Sequence, residues 1–402
     1  MLVVEGVRFA GPLEPYAQGC AAELSRLGYA RSSVVKKLGV VAQLSRWLAE
    51  QDLEAQALLP PVVAEFMSAR RAAGYRDYRT PASLEPVIGH LRRIGVVGAP
   101  EVATSTPVDA LLERYRGYLI GERGLADSTV RWLMRWVRPF LACRVVDGRL
   151  DLTELTADEV TAFMLEVSRQ PRARKAKATA TALRSFLRFL HVEGVVASSL
   201  VGAVPSVASR RLARLPRGIE DREVTRLLGS CDRRTAAGRR DFAILLLLVR
   251  LGLRAGEVAG LMLDDIDWQA GELVVTGKGG CRERLPLPDE VGRAIVGYLQ
   301  RGRPATAQER TVFVRIDAPH GSMTGGTVTA VVNRAGQRIG LEGVRAHQLR
   351  HTAATQMLAA GSPLTEVGQV LRHHRASTTL IYTKVDRDML RTVARPWPGG
   401  AA

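Results

Sequence analysis

The first half of the chain carries one pattern of residues twice. Residues 28–34 read GYARSSV and residues 124–130 read GLADSTV, while the segment 61–67 matches the segment 158–164. Through both blocks, apolar residues recur at the spacing of an amphipathic helix, and glycines separate one apolar segment from the next. We therefore predict two copies of one four-helix unit. The alternative is that two amphipathic bundles align loosely.

The apolar pattern of the first copy predicts four helices, Tyr16–Leu27, Ser32–Glu50, Pro61–Ala73 and Ala82–Ile94. In the second copy, Ser128 or Thr129 is expected to cap a helix that carries Trp132 and Trp136. Because these tryptophans are four residues apart, they share one helix face, which is more typical of helix packing than of stacking on bases.

Two basic stretches follow. Residues 171–177, PRARKAK, lead into a predicted helix, where basic side chains and helix amides can reach a phosphate backbone together. Residues 201–218 contain prolines, glycines and further arginines, and they read as a basic linker. The candidate DNA-binding residues are Arg172, Arg174, Lys175, Lys177, Arg210, Arg211 and Arg214. The alternatives are a solvated charge run in the first stretch and a plain flexible tether in the second.

The rest of the chain predicts mixed structure. Glu272–Thr276 and Glu283–Leu287 read as strands around a glycine-rich turn, and Thr311–Val314 as a short strand. Near the end, Ser362 is the expected N-cap of a helix with Pro363 in its first position. The expected fold class is mostly α with a small β-sheet, with N-terminal helical bundles before a mixed α+β domain. The expected domains are 1–100, 106–200, a linker at 201–218, and 219–402.

Charge and composition narrow the classes of function. The formal net charge of +17 over 402 residues favours a polyanionic partner, nucleic acid before a membrane surface, although an arginine-rich proteome gives the same balance. The longest apolar run, 242–249, is too short to span a bilayer, and the N-terminus does not read as a signal peptide. The scattered cysteines indicate reduced thiols in a cytoplasmic protein.

Six side chains in the last domain suit attack on a phosphodiester. A tyrosine can become esterified to DNA, guanidinium groups can stabilise the charge of a five-coordinate phosphate, and a lysine can protonate the leaving oxygen. The candidates are Arg254, Lys278, His347, Arg350, His373 and Tyr382. Neither the nucleotide-binding pattern GxxxxGK[ST] nor the zinc pattern HExxH fits, because Gln348 replaces the glutamate of the latter.

These residues, in this order, resemble the tyrosine recombinase (phage-type integrase) family. The family's motifs correspond here to GLRAGE, a lysine at a glycine-rich turn, HQLR, LRH and STTLIY. The resemblance implies that Arg254 and Arg350 bind the scissile phosphate, that Lys278 is the general acid, and that Tyr382 is the nucleophile. It covers residues from about 107 to 390, and makes 106–200 a core-binding domain and 219–402 the catalytic domain.

The resemblance also assigns supporting roles. Glu257 would hold the guanidinium of Arg254, and His347 would accept the tyrosyl proton or bond a phosphate oxygen. His373 corresponds to the histidine of the family's Leu-Gly-His. In this chain Arg372 takes the place of that glycine, which leaves open the geometry of the turn and the choice between His373 and His374.

The function implied is site-specific DNA recombination, through a 3′-phosphotyrosyl link and a Holliday junction, by an integrase of a phage, transposon or related mobile element. A chromosome-dimer system stays open as its setting. The implied partners are double-stranded DNA and further copies of the chain in a tetramer on synapsed sites. No membrane, no metal and no other cofactor is required. Two alternatives stay open: a type IB topoisomerase-like or telomere-resolving enzyme with the same chemistry, and a catalytically silent DNA-binding regulator.

Overall fold

The structure is a computed structural model of the chain. It describes residues 2–99, 106–169, 173–206, 218–277 and 279–372, with only the backbone of residues 173 and 174. Within these ranges the chain is mostly helical, with three small antiparallel sheets. This confirms the predicted fold class. By Cα distances, residues 2–99 and 218–372 group into one unit, and residues 106–169 and 173–206 group into a second.

The first block contains the four predicted helices, each starting and ending within a few residues of the prediction. They are α1 (Ala17–Arg26), α2 (Arg31–Glu50), α3 (Pro60–Ala72) and α4 (Glu85–Arg93). The helices bury one shared apolar core that includes Leu24, Leu38 and Met67. A hairpin of β1 (Leu2–Val4) and β2 (Val7–Phe9) precedes them, with Leu2 opposite Phe9. The sequence did not predict this hairpin, since three-residue strands are too short to show an alternating pattern.

The second block also contains four helices around a core of its own. They are α5 (Pro107–Gly121), α6 (Asp127–Ala142), α7 (Ala157–Arg169) and α8 (Ala173–Val192), and a short hairpin of β3 (Val145–Val146) and β4 (Arg149–Leu150) lies between α6 and α7. The predicted cap of α6 is wrong. Its N-cap is Ala126, so Ser128 and Thr129 lie inside the first turn. The carboxylate of Asp127, in the same turn, interacts favourably with the positive end of the helix dipole.

The third block carries seven helices and a three-stranded sheet in its described residues. The helices are α9 (Asp221–Gly229), α10 (Ala236–Arg250), α11 (Ala255–Gly260), α12 (Asp289–Arg301), α13 (Gly325–Arg338), α14 (Ala346–Ala359) and α15 (Leu364–Val370). The antiparallel sheet has the order β5 (Ile266–Asp267), β6 (Glu272–Thr276), β7 (Arg282–Pro286). The predicted hairpin is confirmed, with Thr276 opposite Arg282 at its tip.

Helix α10 is the centre of this block. Each residue from 243 to 249 is at most 2% exposed, because α12 and α14 pack against the helix and α9, α11 and α13 also contact it. The run of apolar residues therefore serves a helix that is buried on all sides rather than a single amphipathic face. At its N-terminus, the Thr235 hydroxyl accepts a hydrogen bond from the Gly238 N–H at 3.0 Å. Burial fixes the position of the turn that follows the helix.

Two smaller predictions differ from the structure. Thr311 and Val314 make only isolated bridges, to Met262 and Ser322, so this segment is not a regular strand. Helix α15 has Pro363 rather than Ser362 as its N-cap, because the proline backbone is still extended, with a ψ of 151°. In the part of the chain that the structure describes, no helix combines the length and the apolar character needed to cross a bilayer.

Candidate active site

A glycine turn at the end of α10 sets the position of the first candidate arginine. Gly252 has a φ of +56°, in the left-handed region that favours glycine. A Cβ added there would lie 2.6 Å from Cδ2 of Leu371, so the backbone and the end of α15 approach each other closely. The chain then turns directly into α11, for which Arg254 is the N-cap.

Arg254 is bound tightly to Glu257, one turn further along α11. Its Nη1 donates to Glu257 Oε1 at 2.5 Å, and its backbone N–H donates to Oε2 at 2.8 Å. The Arg254 side chain keeps 34% of its surface exposed, whereas that of Glu257 keeps 4%. The contact expected from the sequence is therefore present, and a buried carboxylate fixes a guanidinium that still reaches solvent.

Arg350 reaches the same place from α14. It is 7% exposed, its Nη1 donates to the Gly252 carbonyl at 2.5 Å, and its Nη2 donates to the Leu371 carbonyl. The neighbouring carbonyl, that of Arg372, accepts from Arg254 Nη2 at 3.1 Å. Two guanidinium groups from distant parts of the sequence thus converge on consecutive carbonyls at the end of α15.

His347 lies on the same helix as Arg350, one turn before it, and is exposed. Its ring centroid is 5.8 Å from that of His351, and the two rings are nearly perpendicular, at 85°. Burial, and then the nearby His347 and Arg350, lower the pKa of His351 below its ordinary value of 6.5. The neutral form of His351 therefore predominates at pH 7, while His347 faces solvent where it can meet a ligand.

The electrostatics of the site centre on Glu257. Burial opposes the ionisation of its carboxyl group, but the backbone N–H of Arg254 and the charges of Arg372 and Arg254 outweigh that effect. They hold the pKa of Glu257 below its usual range. The carboxylate is thus charged throughout the physiological pH range, and it can act as a fixed acceptor for the guanidinium groups of Arg254 and Arg372.

Arg372 belongs to the site, although the sequence singled it out only as a departure from a motif. Its side chain is 1% exposed, and its Nη2 donates to Glu257 Oε2 at 2.7 Å. Its backbone has a φ of +54°, the left-handed conformation that a glycine would adopt readily. The family's Leu-Gly-His has a glycine at this position, and that glycine indicated a turn after α15. Nothing in the sequence indicated that the arginine side chain would be buried.

The remaining candidate residues lie either at the start of α8 or outside the described part of the chain. Lys175 and Lys177 are in the first turns of α8, where Lys175 is partly exposed and Lys177 is exposed. Arg174 is in the same helix, and its side chain is not described. The predicted residues outside the described part of the chain are Lys278, His373, Tyr382, Arg172, Arg210, Arg211 and Arg214. Among the described residues, no three His, Cys, Asp or Glu side chains are grouped so that they could hold a metal ion.

Sequence models of two domain families match this chain. The model described as the phage integrase family matches residues 217–389, and the model described as the phage integrase N-terminal SAM-like domain matches residues 112–194. The first match includes all six candidate catalytic residues. Neither match includes residues 1–111.

Individual proteins match more of the chain. The protein y4rA of Sinorhizobium fredii (strain NBRC 101917 / NGR234), described as an integrase/recombinase, is 38% identical over 97% of this chain and 96% of its own length. The tyrosine recombinase XerD of Mycobacterium tuberculosis (strain ATCC 25618 / H37Rv) is 33% identical over 72% of this chain and 96% of its own. The y4rA match thus extends into the first block.

A solved structure shows the same fold. The structure is a lambda integrase tetramer bound to a Holliday junction, with a TM-score of 0.51 and 20% sequence identity. The similarity covers 76% of this chain and 87% of that one. At this level of identity the likeness concerns the fold and assigns no role to individual residues.

Proposed function

This chain belongs to the phage integrase family of tyrosine recombinases, and on that premise we propose that it cleaves and rejoins DNA at specific sites with Tyr382 as the nucleophile. The phenol oxygen attacks the scissile phosphate, a 3′-phosphotyrosyl bond forms, and the bond to the 5′-oxygen breaks. The freed 5′-hydroxyl of one strand then attacks the phosphotyrosyl bond of its partner. The bond energy is conserved, since one diester is exchanged for another.

The proposed roles follow from the chemistry of each group. Arg254 and Arg350 stabilise the extra negative charge on the non-bridging oxygens of the five-coordinate phosphate. His347 and His373 bond phosphate oxygens or take the phenolic proton. This proton must leave during the attack, because a phenol with the ordinary tyrosine pKa of about 10 is protonated at pH 7. Lys278 protonates the leaving 5′-oxygen. The arginines supply the positive charge that a metal ion supplies in other phosphoryl-transfer enzymes.

One observation carries this proposal. The guanidinium groups of Arg254 and Arg350 converge on the consecutive carbonyls of Leu371 and Arg372, directly before His373 in the sequence. A guanidinium has five N–H donors, and the side-chain bonds of Arg254 given above use two of them. Since that side chain is one-third exposed, it can present further donors to a phosphate.

The covalent adduct tests the nucleophile. The chain is incubated with duplex DNA from the ends of its own genetic element, carrying a nick that traps the cleaved state, and the protein–DNA adduct is measured on a denaturing gel. The Tyr382→Phe variant is expected to form no adduct while its DNA affinity stays unchanged. Tyr75→Phe removes a hydroxyl from another exposed tyrosine and should leave adduct formation at the wild-type level. An undiminished adduct from Tyr382→Phe refutes Tyr382 as the nucleophile.

We further propose that the start of α8 contacts the DNA backbone. Lys175→Ala and Lys177→Ala should each reduce the slope of log affinity against log salt by about 1, because each removes one released counterion. The matched change Lys36→Ala, at an exposed position of α2, shows whether the first block touches DNA as well. Unchanged slopes in both α8 variants contradict the assignment. The candidates Arg172, Arg174, Arg210, Arg211 and Arg214 can be tested in the same way.

The assembly of the chain on DNA and its biological setting are also proposals. We propose a tetramer on two synapsed sites, strand exchange through a Holliday junction, a mobile genetic element as the source, and action in the cytoplasm. The domains proposed are 1–100, 106–200 and 219–402, with a linker at 201–218, and the separate apolar cores of the three blocks support them. Recombination of paired sites supports this reading, whereas relaxation of unrelated supercoiled plasmid without recombination favours a topoisomerase.

A further inference from the structure

Arg372 combines two features that rarely occur together. Its backbone has a φ of +54°, which crowds any side chain with a Cβ, and its side chain is almost fully buried although it carries a charge. Leu371, directly before it, is 0% exposed and packs in a small apolar cluster with Ala354 and Val367. The end of α15 is therefore anchored, and the arginine is directed inward at a cost to both backbone and solvation.

The inward guanidinium closes a ring of contacts around Glu257. Oε2 of this carboxylate accepts from Arg372 Nη2 at 2.7 Å and from the Arg254 backbone N–H at 2.8 Å. Oε1 accepts from Arg254 Nη1 at 2.5 Å, and Arg254 Nη2 donates to the Arg372 carbonyl at 3.1 Å. Each of the three residues thus contacts the other two, so none can move without changing the position of the others.

The exposure of the two arginines separates their roles. The Arg254 side chain retains 34% of its surface, whereas the Arg372 side chain retains 1%. A phosphate arriving from solvent can reach the first guanidinium but not the second. Any influence of the Arg372 side chain on a bound phosphate therefore passes through Glu257 and Arg254.

We infer that Arg372 is a positioning residue for Arg254 in the cleavage reaction, an inference that rests on the proposed function. By bonding Oε2, it fixes the plane of the Glu257 carboxylate, which in turn fixes the guanidinium of Arg254. It also changes the charge of the cluster. Two guanidinium groups against one carboxylate leave one net positive charge, whereas a pair of Arg254 and Glu257 alone would be neutral. The cluster therefore offers a phosphate a group that is both held in place and positively charged.

Three substitutions of Arg372 separate the effects of its charge, its backbone strain and its side-chain volume. Arg372→Met keeps a long apolar stem and removes the charge. Arg372→Gly removes the side chain but relieves the left-handed backbone, and Arg372→Lys restores a cation. The readout is the single-turnover rate of adduct formation on the nicked duplex that the unchanged chain cleaves, together with the affinity for that duplex.

We expect Met and Gly at this position to slow adduct formation by about 10- to 100-fold, since displacing a catalytic group by about 1 Å costs on the order of 100-fold in rate. DNA affinity should change by less than about 3-fold, because the buried Arg372 side chain, 1% exposed, offers no surface to a phosphate and the charge contacts that dominate backbone binding stay in place. Lysine should restore part of the rate. In a Glu257→Gln background, Arg372→Met should cause little further loss, because the carboxylate through which it acts is gone.

A neutral scissile linkage provides a readout that a merely structural role would not change. On a duplex with a methylphosphonate at the scissile position, less negative charge develops, so the rate difference between Met and Arg at 372 should shrink. A difference that stays the same on both linkages, or a Gly variant that cleaves at the wild-type rate, overturns the inference and leaves the proposed function intact. If the unchanged chain forms no adduct on any duplex from its element, the proposed function fails, and this inference fails with it.

Discussion

The substitution Glu257→Gln tests the energetics of the site most directly. Glutamine has the size of glutamate but carries no charge, and one of its two terminal atoms is a donor. The carboxylate accepts three hydrogen bonds, two at Oε2 and one at Oε1. In either orientation of the amide, its NH₂ group faces a guanidinium or a backbone N–H. At least one bond is lost, and the buried guanidinium of Arg372 loses its counter-charge.

The magnitude follows from burial. Removing one partner of a buried ion pair costs about 3–5 kcal/mol. The low end of this range applies here for two reasons. The Arg254 side chain is one-third exposed, so water can solvate its guanidinium, and the amide oxygen of the glutamine still accepts a hydrogen bond from one guanidinium. We expect a loss of about 3 kcal/mol, and for a domain of this size that lowers the melting temperature by roughly 6–12 °C. Calorimetry on the full chain at pH 7 measures this shift.

Glu272→Gln is the matched control. Glu272 pairs with Arg284 at 3.2 Å on the neighbouring strand, with side chains 39% and 76% exposed. Exposed pairs of this kind contribute about 0–1 kcal/mol, so the melting temperature of the Glu272→Gln variant should hardly change.

The pKa of Glu257 is lowered in the folded chain, so the stability that this carboxylate contributes is present above the ordinary value of 4.5 and declines as the pH falls below it. Equal shifts for both variants, or a Glu257→Gln shift that grows at low pH, would refute the reasoning.

Two further changes probe the same region. Gly252→Ala puts a Cβ against Leu371 at a left-handed position, so we expect a loss of about 2–4 kcal/mol in urea unfolding and a large drop in adduct formation. Gly340→Ala, with a φ of +79° and open space around it, is the control for strain alone, and an equal loss there contradicts the close approach. His351→Asn should flatten the fall in stability below pH 6.5, because the lowered pKa of His351 lets the unfolded chain bind more protons. An identical pH profile counts against a half-buried imidazole that is neutral in the folded chain.

The sequence by itself determined the parts of this protein that depend on local pattern. The helices of the first block follow from apolar residues at helical spacing, and the hairpin of β6 and β7 follows from two β-rich segments around glycines. The spacing of Arg254 and Glu257 likewise predicted their contact, because one turn of α11 brings a carboxylate to an arginine three residues away. Such contacts need no knowledge of how distant segments pack.

Only the tertiary structure decided how distant segments meet. Residues Gly252 and Leu371 come into contact because α10 is buried between α12 and α14, and α15 packs on α14. That packing presents consecutive carbonyls to two arginines that lie about 100 residues apart in sequence. It also turns Arg372 inward, since a buried carboxylate is available within 2.7 Å. From the sequence this arginine is only a substituted glycine, because neither its backbone conformation nor its partner is encoded nearby.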